Sequence, residues 1–573
     1  MIENQERDRT MSPETFDRSN RLGFKAWLIL MLYGSTLLGL WLGSTRVLTW
    51  HEAFSSEQAR EMLITGNWIV PHYGTIATTH KPPMFNWLIA LSMSVFDSHD
   101  EWVCRLPSLL AALLTAWMVA ALGARWHGRR VGLASGLIVL SSFYVLMQAR
   151  LAEIDMLLCF AVTGAIVCFI LAEDERKPPG KGMRLVLTIC FFAFIALALL
   201  AKYLIGPCFI AGGILLYVLL RRRRRALLFC LHPAGWFVFL ALALPSYIAA
   251  YKASPEILDR WILEHFGRFT RSGGAWGRQH PLLFYFYMTP LIMMPWTTWL
   301  AGGILLGARK KMWLSRNWQL IACFFFAALI LLTASSWKHK HYILPVLPCL
   351  AIPSAWYLVN NTYEHIDKRR PPALVSLLLI VAAAVGIFIV WQARPDIMAL
   401  MTIGILGCVG LLITATFLDY HRRPRSTLVA LFATFWLVGV FVQAFVIQHF
   451  DSYRHQAELG KRVNTQVTET ETLYTVNIYI DQILFYLRRP VRRIDTIEAF
   501  SNEVRQNPAD DYYIVTAAGD VEKFRSLGNV QLLDQVEKPR PRQTEKEKLV
   551  FIRLQTGLAT AIILGSDVNI GGK

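Results

Sequence analysis

The sequence predicts a mostly α-helical, polytopic membrane bundle of about thirteen spans with a small α/β domain at its C-terminal end. Three observations carry this expectation. Hydrophobic residues make up 54% of the 573-residue chain and charged ones 17%, against roughly 25% charged in soluble domains, and the mean hydropathy is +0.39. The apolar residues gather in runs suited to helices that cross about 30 Å of hydrocarbon. Past Phe450 the long runs stop, and short apolar segments alternate with polar turns.

The apolar runs begin near Phe24, Cys104, Val131, Asp155, Leu185, Tyr203, Ala226, Leu282, Trp318, His341, Ala373, Ile397 and Thr427. The first, Phe24 to Leu48, is too long for a signal-peptide core and lacks a small-residue cleavage site, so it is expected to stay as a helix. Met84 to Phe96 is too short to span and reads as an interfacial helix. Orientation comes from the polar turns. With the N-terminus inside, the even-numbered turns carry Arg125, Arg129 and Arg130; Lys177, Lys181 and Arg184; Arg221 to Arg225; Arg309, Lys310, Lys311 and Arg316; Lys368, Arg369 and Arg370; and Arg422, Arg423 and Arg425. Every one of these turns is basic, as cytoplasmic loops are. An odd number of crossings then places the tail on the outer side of the membrane. The expected division is a membrane domain over 1–448, with a first outer loop over 49–103, and a soluble α/β domain over 449–573. In the tail, Leu473 to Val476, Tyr512 to Thr516 and Leu549 to Arg553 read as strands, and Asp481 to Leu487 as a helix.

Composition also excludes some functions. The formal net charge of +18 would suggest nucleic acid in a soluble protein. Here the basic residues sit in short clusters between apolar runs, so they read as topology signals and no nucleic-acid partner is expected. Nearly all of the nine cysteines lie in apolar runs and the tail has none, which leaves no disulfide framework and no CxxC metal site. Gly460, Gly519 and Gly528 are isolated, so the tail lacks a nucleotide-binding glycine pattern.

The unusual chemistry collects on the outer side. The first outer loop reads Trp50-His51-Glu52, Arg60-Glu61-Met62, Gly66 to His72, and His80-Lys81-Pro82-Pro83. Glu57, Arg60 and Glu61 fall at helical spacing and read as a solvated helix face. His51, Glu52, His80 and Lys81 sit at apolar boundaries, where an idle charge is costly, and read as functional. Later outer turns add Arg150, Glu153 and Asp155; Lys202-Tyr203; Glu264-His265, Arg268, Arg271, Arg278 and His280; and Trp337 to Tyr342. These groups are expected to converge on one outward-facing cavity. Lysines and arginines there would neutralise a phosphate ester and stabilise it as a leaving group. A carboxylate or imidazole would take a proton from an acceptor hydroxyl.

At these residues the chain resembles the GT-C membrane glycosyltransferases that use polyprenyl-phosphate sugars. Within that group it is most similar to the protein O-mannosyltransferase-like branch, and particularly to bacterial lipid A aminoarabinose transferases. The carrying residues are His51-Glu52, Arg60-Glu61-Met62, Gly66 to His72, Lys81-Pro82, Asp155, Lys202, Glu264-His265, Arg268-Phe269, Gln279-His280, Pro295-Trp296 and Lys340 to Leu344. The resemblance covers the membrane part well and the tail weakly. It implies thirteen helices, a soluble outer C-terminal domain, and transfer of a sugar, 4-amino-4-deoxy-L-arabinose or a related amino sugar, from undecaprenyl phosphate to lipid A. The chain departs from the family in having His51-Glu52 for Asp-Glu and His80-Lys81-Pro82 for Glu-Lys-Pro. His51, Glu52 and Asp155 are then the catalytic candidates. Lys81, Lys202, Arg268, Lys340 and Tyr342 are candidates for the donor phosphate. His51 could act as a base near neutral pH, and His80 with His265 could hold a divalent metal such as Zn, Mg or Mn.

One variant of this reading and two other classes compete. Transfer of another sugar to a surface glycan or protein keeps the same chemistry. A lipid-linked sugar transporter would show internal repeats and midplane charges; no repeat is evident, and the ionisable residues collect on one face. A scaffold or sensor using the tail as a binding module would lose its function when the tail is deleted, whereas an enzyme could retain some turnover.

Overall fold

The computed structural model describes residues 22–44, 46–74, 76–78, 81–174, 178–222, 225–253, 255, 257–262, 280–336, 338–364, 398–447, 451, 454–468, 470–478, 482–507, 509, 511–537, 544 and 547–556. The chain divides into two compact units. The first comprises Met1–Leu42, His80–Phe85 and Arg105–Val446, and the second Gly43–Thr79, Asn86–Cys104 and Ile447–Lys573.

The described elements are α1 (Phe24–Gly39), α2 (Trp50–Thr65), the two-residue strands β1 (His72–Tyr73) and β2 (Ile76–Ala77), α3 (Met84–Phe96), α4 (Glu101–His127), α5 (Arg129–Ser141), α6 (Phe143–Gln148), α7 (Asp155–Ala172), α8 (Lys181–Lys202), α9 (Ile205–Arg221), α10 (Arg225–Cys230), α11 (Pro233–Ala253) and α12 (Ile257–Ile262). There follow α13 (Phe284–Ile292), α14 (Thr297–Arg309), α15 (Arg316–Ala334), a 3-10 segment Lys340–Leu350 that runs into α16 (Ala351–Glu364), α17 (Met398–Tyr420) and α18 (Pro424–Phe441). Among the described residues, eight helices are long and apolar enough to cross a membrane. A ninth span is made if α13 and α14, bent by 112°, are taken together. The helices α1, α3 and α9 are shorter apolar ones. The chain is thus a multi-pass membrane protein. Of the expected runs, the one beginning at Ala373 lies outside the described residues.

Within the first unit, α7 and the Lys340–Glu364 span are the most enclosed elements. Away from their ends both are largely apolar, as buried helices are. The α7 helix packs on α8, α9 and the 3-10 segment. Small residues permit these close approaches. A Cβ on Gly164 would lie 2.6 Å from the Phe194 ring, and one on Gly206 2.8 Å from Ala198. By contrast α11 turns Phe237, Leu242 and Leu244 outward, a face that hydrocarbon would cover. The C-terminal end of α1 leaves orphan carbonyls. Arg150 donates to the carbonyls of Leu38 (2.6 Å), Leu40 (2.8 Å) and Trp41 (3.2 Å), and Arg105 to that of Leu42 (2.6 Å). A guanidinium suits this end because it also meets the negative pole of the helix dipole.

The second unit contains a five-stranded sheet in the order β4-β3-β5-β7-β6. Its elements are α19 (Arg454–Gln466), β3 (Leu473–Val476), α20 (Ile483–Leu487), β4 (Val491–Ile494), α21 (Ile497–Gln506), β5 (Asp511–Ala517), α22 (Val521–Phe524), β6 (Asn529–Gln535) and β7 (Leu549–Gln555). β3 runs parallel to both β4 and β5, whereas β7 is antiparallel to β5 and β6. The three tail strands expected from sequence are present, and the helix after β3 begins at Ile483. β4 and β6 are additional. One apolar cluster gathers Phe500, Tyr512, Ile514, Phe524 and Ile552. The other gathers Leu459, Val463, Leu473, Ile483, Val515 and Phe551 together with Tyr73 of the 49–103 loop, and Phe54 packs against it. The loop therefore supplies part of the core of the tail domain.

Candidate active site

In the first unit the sequence places a carboxylate at the first residue of α7 and an ammonium at the last residue of α8. The two ends meet. Lys202 Nζ donates to Asp155 Oδ1 at 2.6 Å, with side chains only 13% and 8% exposed. The Lys202 ammonium also stands 4.8 Å from the centre of the Tyr342 ring, a cation–π contact strengthened by desolvation. Lys81 and His341 are within electrostatic range of Asp155. Lys340 Nζ lies 5.8 Å from the Tyr144 ring, and Tyr144 is itself within range of Asp155 and Glu153. Five of the residues singled out from sequence, Lys81, Asp155, Lys202, Lys340 and Tyr342, thus belong to one cluster built from four separate stretches of chain.

The segment His339 to Tyr342 is held by Tyr285 of α13. That hydroxyl donates to the His339 carbonyl at 3.1 Å and accepts from the His339 N–H at 3.2 Å. Tyr285 is fully buried, and nothing in the sequence singled it out. Its ring also lines an apolar cavity of about 500 Å³ with Thr289, Ile304, Trp318, Phe325 and Leu350. A volume of this size is typical of sites for small or chain-like ligands.

In the second unit, helix α2 carries His51 and Glu52. The sequence Thr49-Trp50-His51-Glu52 forms a capping box, in which the end residues satisfy each other's backbone amides. Thr49 N–H donates to Glu52 Oε2 at 2.9 Å, and Arg46 approaches the same oxygen at 3.3 Å. Glu52 is fully buried, so this carboxylate has a structural task in addition to any chemical one. His51 is exposed, with its ring stacked on Trp50 at 3.4 Å between centroids. The Thr49-x-x-Glu52 spacing is itself the sequence signature of this cap.

Glu57, Arg60 and Glu61 do not form the solvated face expected of them. Glu57 and Arg60 are 1% and 2% exposed and pair through two contacts of 2.6 and 2.8 Å. Arg60 also donates to the carbonyl of Arg489 at 3.1 Å, and Glu61 Oε1 accepts from Gly74 N–H at 2.7 Å. Helical spacing was read as solvent exposure, but this helix is covered by the tail domain. Nearby, burial pushes the His99 imidazole below its ordinary pKa, and the charges of Arg60 and Arg488 push it further.

Arg150 is engaged by the carbonyls at the end of α1. His80, His265 and Arg268 lie outside the described residues. Among the described residues no group of three or more His, Cys, Asp or Glu could hold a metal ion, and Glu52 is engaged by Arg46 and Thr49.

A helical bundle of this topology, with lysines around a buried carboxylate at helix ends and a small sheet domain following the last span, has the fold of the GT-C membrane glycosyltransferases. The crystal structure of ArnT from Cupriavidus metallidurans bound to undecaprenyl phosphate superposes with a TM-score of 0.78 at 18% identity, covering 94% of this chain and 99% of that one. The archaeal oligosaccharyltransferase AglB from Archaeoglobus fulgidus, solved with an inhibitory peptide and a dolichol-phosphate, gives 0.51 at 12% identity, over 87% of this chain and 69% of that one. In sequence the chain is aminoarabinose-transferase-like. It is 28% identical over 347 residues to undecaprenyl phosphate-alpha-4-amino-4-deoxy-L-arabinose arabinosyl transferase 2 of Proteus mirabilis, a match spanning 58% of this chain and 60% of that relative. Residues 80–248 match the family of dolichyl-phosphate-mannose-protein mannosyltransferases.

Proposed function

We propose that this chain is a glycosyltransferase that moves 4-amino-4-deoxy-L-arabinose, or a close amino sugar, from undecaprenyl phosphate to lipid A at the periplasmic face of the inner membrane. The observation that carries the reading is the buried Lys202–Asp155 pair against Tyr342, with Lys81 in electrostatic range. A polyprenyl-linked sugar arrives as a phosphodiester with one negative charge. It leaves as a phosphomonoester that carries up to two. Lysines placed there bind the leaving group more strongly than the donor, which is the condition for lowering the barrier. Desolvation makes each of these contacts worth more than in water.

In the reaction an acceptor oxygen attacks the anomeric carbon of the sugar. The bond from that carbon to the carrier oxygen breaks, and the carrier phosphate takes the electron pair. Lys81, Lys202 and Lys340 hold that phosphate, with Arg268 as a further candidate, and Asp155 orients Lys202. Tyr342 bounds the phosphate or the sugar. His51 receives the proton of an acceptor hydroxyl, and Glu52 fixes the helix turn that carries His51. The isoprenoid chain finds room in the apolar cavity whose wall includes Tyr285. The names of the sequence relatives and the ligand of the ArnT structure support the same donor.

The mannosyltransferase match favours one alternative, transfer of a hexose to a protein or surface glycan. The test is transfer by the purified chain in lipid nanodiscs, read by mass spectrometry. Undecaprenyl-phosphate-linked aminoarabinose or mannose is supplied with lipid A or peptide acceptors. Aminoarabinosylated lipid A is the expected product. Mannosylated peptide as the sole product would replace the reading, and no product from any pair would remove it in favour of transport.

A further inference from the structure

We infer that the tail domain is a clamp on helix α2, and that its Tyr486 and Asp451 are positioning residues for His51; the inference rests on the assignment of His51 to the acceptor side. The stretch before α2 belongs to no sheet, so its amides need other acceptors. Three consecutive ones find side-chain oxygens. Val47 N–H donates to Asp451 Oδ2 at 2.8 Å, Leu48 N–H to Tyr486 Oη at 2.8 Å, and Thr49 N–H to Glu52 Oε2 at 2.9 Å. Two of the three acceptors come from the tail. Tyr486 is fully buried and donates its own proton to Glu101 Oε1 at 3.0 Å. Its hydroxyl is thereby fixed in direction, with a lone pair turned to Leu48.

Further along, α2 is fastened a second time. The Arg489 carbonyl accepts from Arg60, and Phe54 and Tyr73 pack with the core of the tail sheet. Arg493 lies 5.7 Å from the centre of the Tyr73 ring. A helix held at its entry and along its length cannot rotate about its axis. Because one residue of a helix corresponds to about 100° of rotation, a slip at Val47 or Leu48 would re-aim His51, which stands in the first turn. The clamp therefore acts on the direction of one imidazole.

The experiment uses the full chain in lipid nanodiscs with synthetic undecaprenyl-phosphate-linked aminoarabinose and lipid A. Four proteins are compared: wild type, Tyr486→Phe, His51→Ala and the double variant. Tyr486→Phe keeps the ring and loses both hydroxyl bonds. Its kcat should fall about tenfold or more, the scale expected of a misplaced catalytic group. Its affinity for undecaprenyl phosphate should stay unchanged. In the His51→Ala background the same substitution should add nothing, since Tyr486 acts through His51. Asp451→Ala should reduce kcat likewise, and Asp451→Asn, which keeps an oxygen acceptor, should restore most of the loss; this pair decides the matter if Tyr486→Phe does not fold. A wild-type kcat in Tyr486→Phe, or a loss that multiplies with that of His51→Ala, overturns the clamp while leaving His51 its role. Full activity in His51→Ala removes that role and the clamp with it.

Discussion

Replacing Lys202 separates what the buried pair does for stability from what it does for the donor. Lys202→Met deletes the cation and leaves Asp155, 8% exposed, without its 2.6 Å donor. Breaking one side of such a pair costs about 3–5 kcal/mol, most of it the uncompensated charge left behind. Lys202→Met with Asp155→Asn removes both charges, and buried pairs replaced by neutral groups are often stability-neutral. The double variant should therefore regain the thermal stability that the single variant loses. Carrier binding should not return with it. Losing a desolvated charge contact to the phosphate costs about 2–5 kcal/mol, which is roughly 30- to 4,000-fold in Kd. Asp155→Asn alone keeps the cation and should bind at least as tightly as wild type. The assays are thermal unfolding in one detergent and titration with undecaprenyl phosphate. A double variant that binds the carrier as tightly as wild type would refute the assignment of Lys202 to the phosphate.

Tyr285→Phe removes both bonds to the His339 backbone, each worth about 1 kcal/mol, and should weaken carrier binding about tenfold through Lys340 and Tyr342, measured by the same titration. Glu57→Gln leaves the Arg60 guanidinium buried without its bidentate partner and should destabilise the second unit by about 3 kcal/mol or more; protease digestion at rising urea would show it. The His99 imidazole is held below its ordinary value, so the unfolded chain takes up the proton first as pH falls. Its contribution to stability is complete above the unfolded pKa, near 6.5, and is lost as pH falls from there towards the folded value. His99→Gln should show a smaller loss of melting temperature between pH 7 and pH 5.

Much of the membrane part was legible because hydrocarbon imposes a single requirement, long apolar helices, that composition records directly. The Asp155 and Lys202 ends were visible as charges at helix boundaries, where burial makes a charge informative. Tyr285 was not, since a tyrosine in an apolar run resembles any other core aromatic until its hydroxyl is seen to find a backbone partner. The tail strands β3, β5 and β7 are nearly continuous apolar segments enclosed in the sheet. β4, reading Val491-Arg492-Arg493-Ile494, and β6, with Asn529, Gln531 and Asp534, are edge strands with exposed positions, and edges favour polar residues that mask their signal. The Glu57–Arg60 pair was misread because spacing reports which face of a helix a residue takes, and not what covers that face.

Tyr73 leaves the ribosome long before the strands of the sheet whose core it completes, which follow α18 in the chain. A nascent chain that has emitted Tyr73 must carry an unfinished apolar surface through the insertion of every intervening helix. The C-terminal stretch produced by itself would lack Phe54 and Tyr73 and present an open socket in their place. Completion of the sheet core thus waits on the synthesis of every helix that lies between Tyr73 and β3 in the chain.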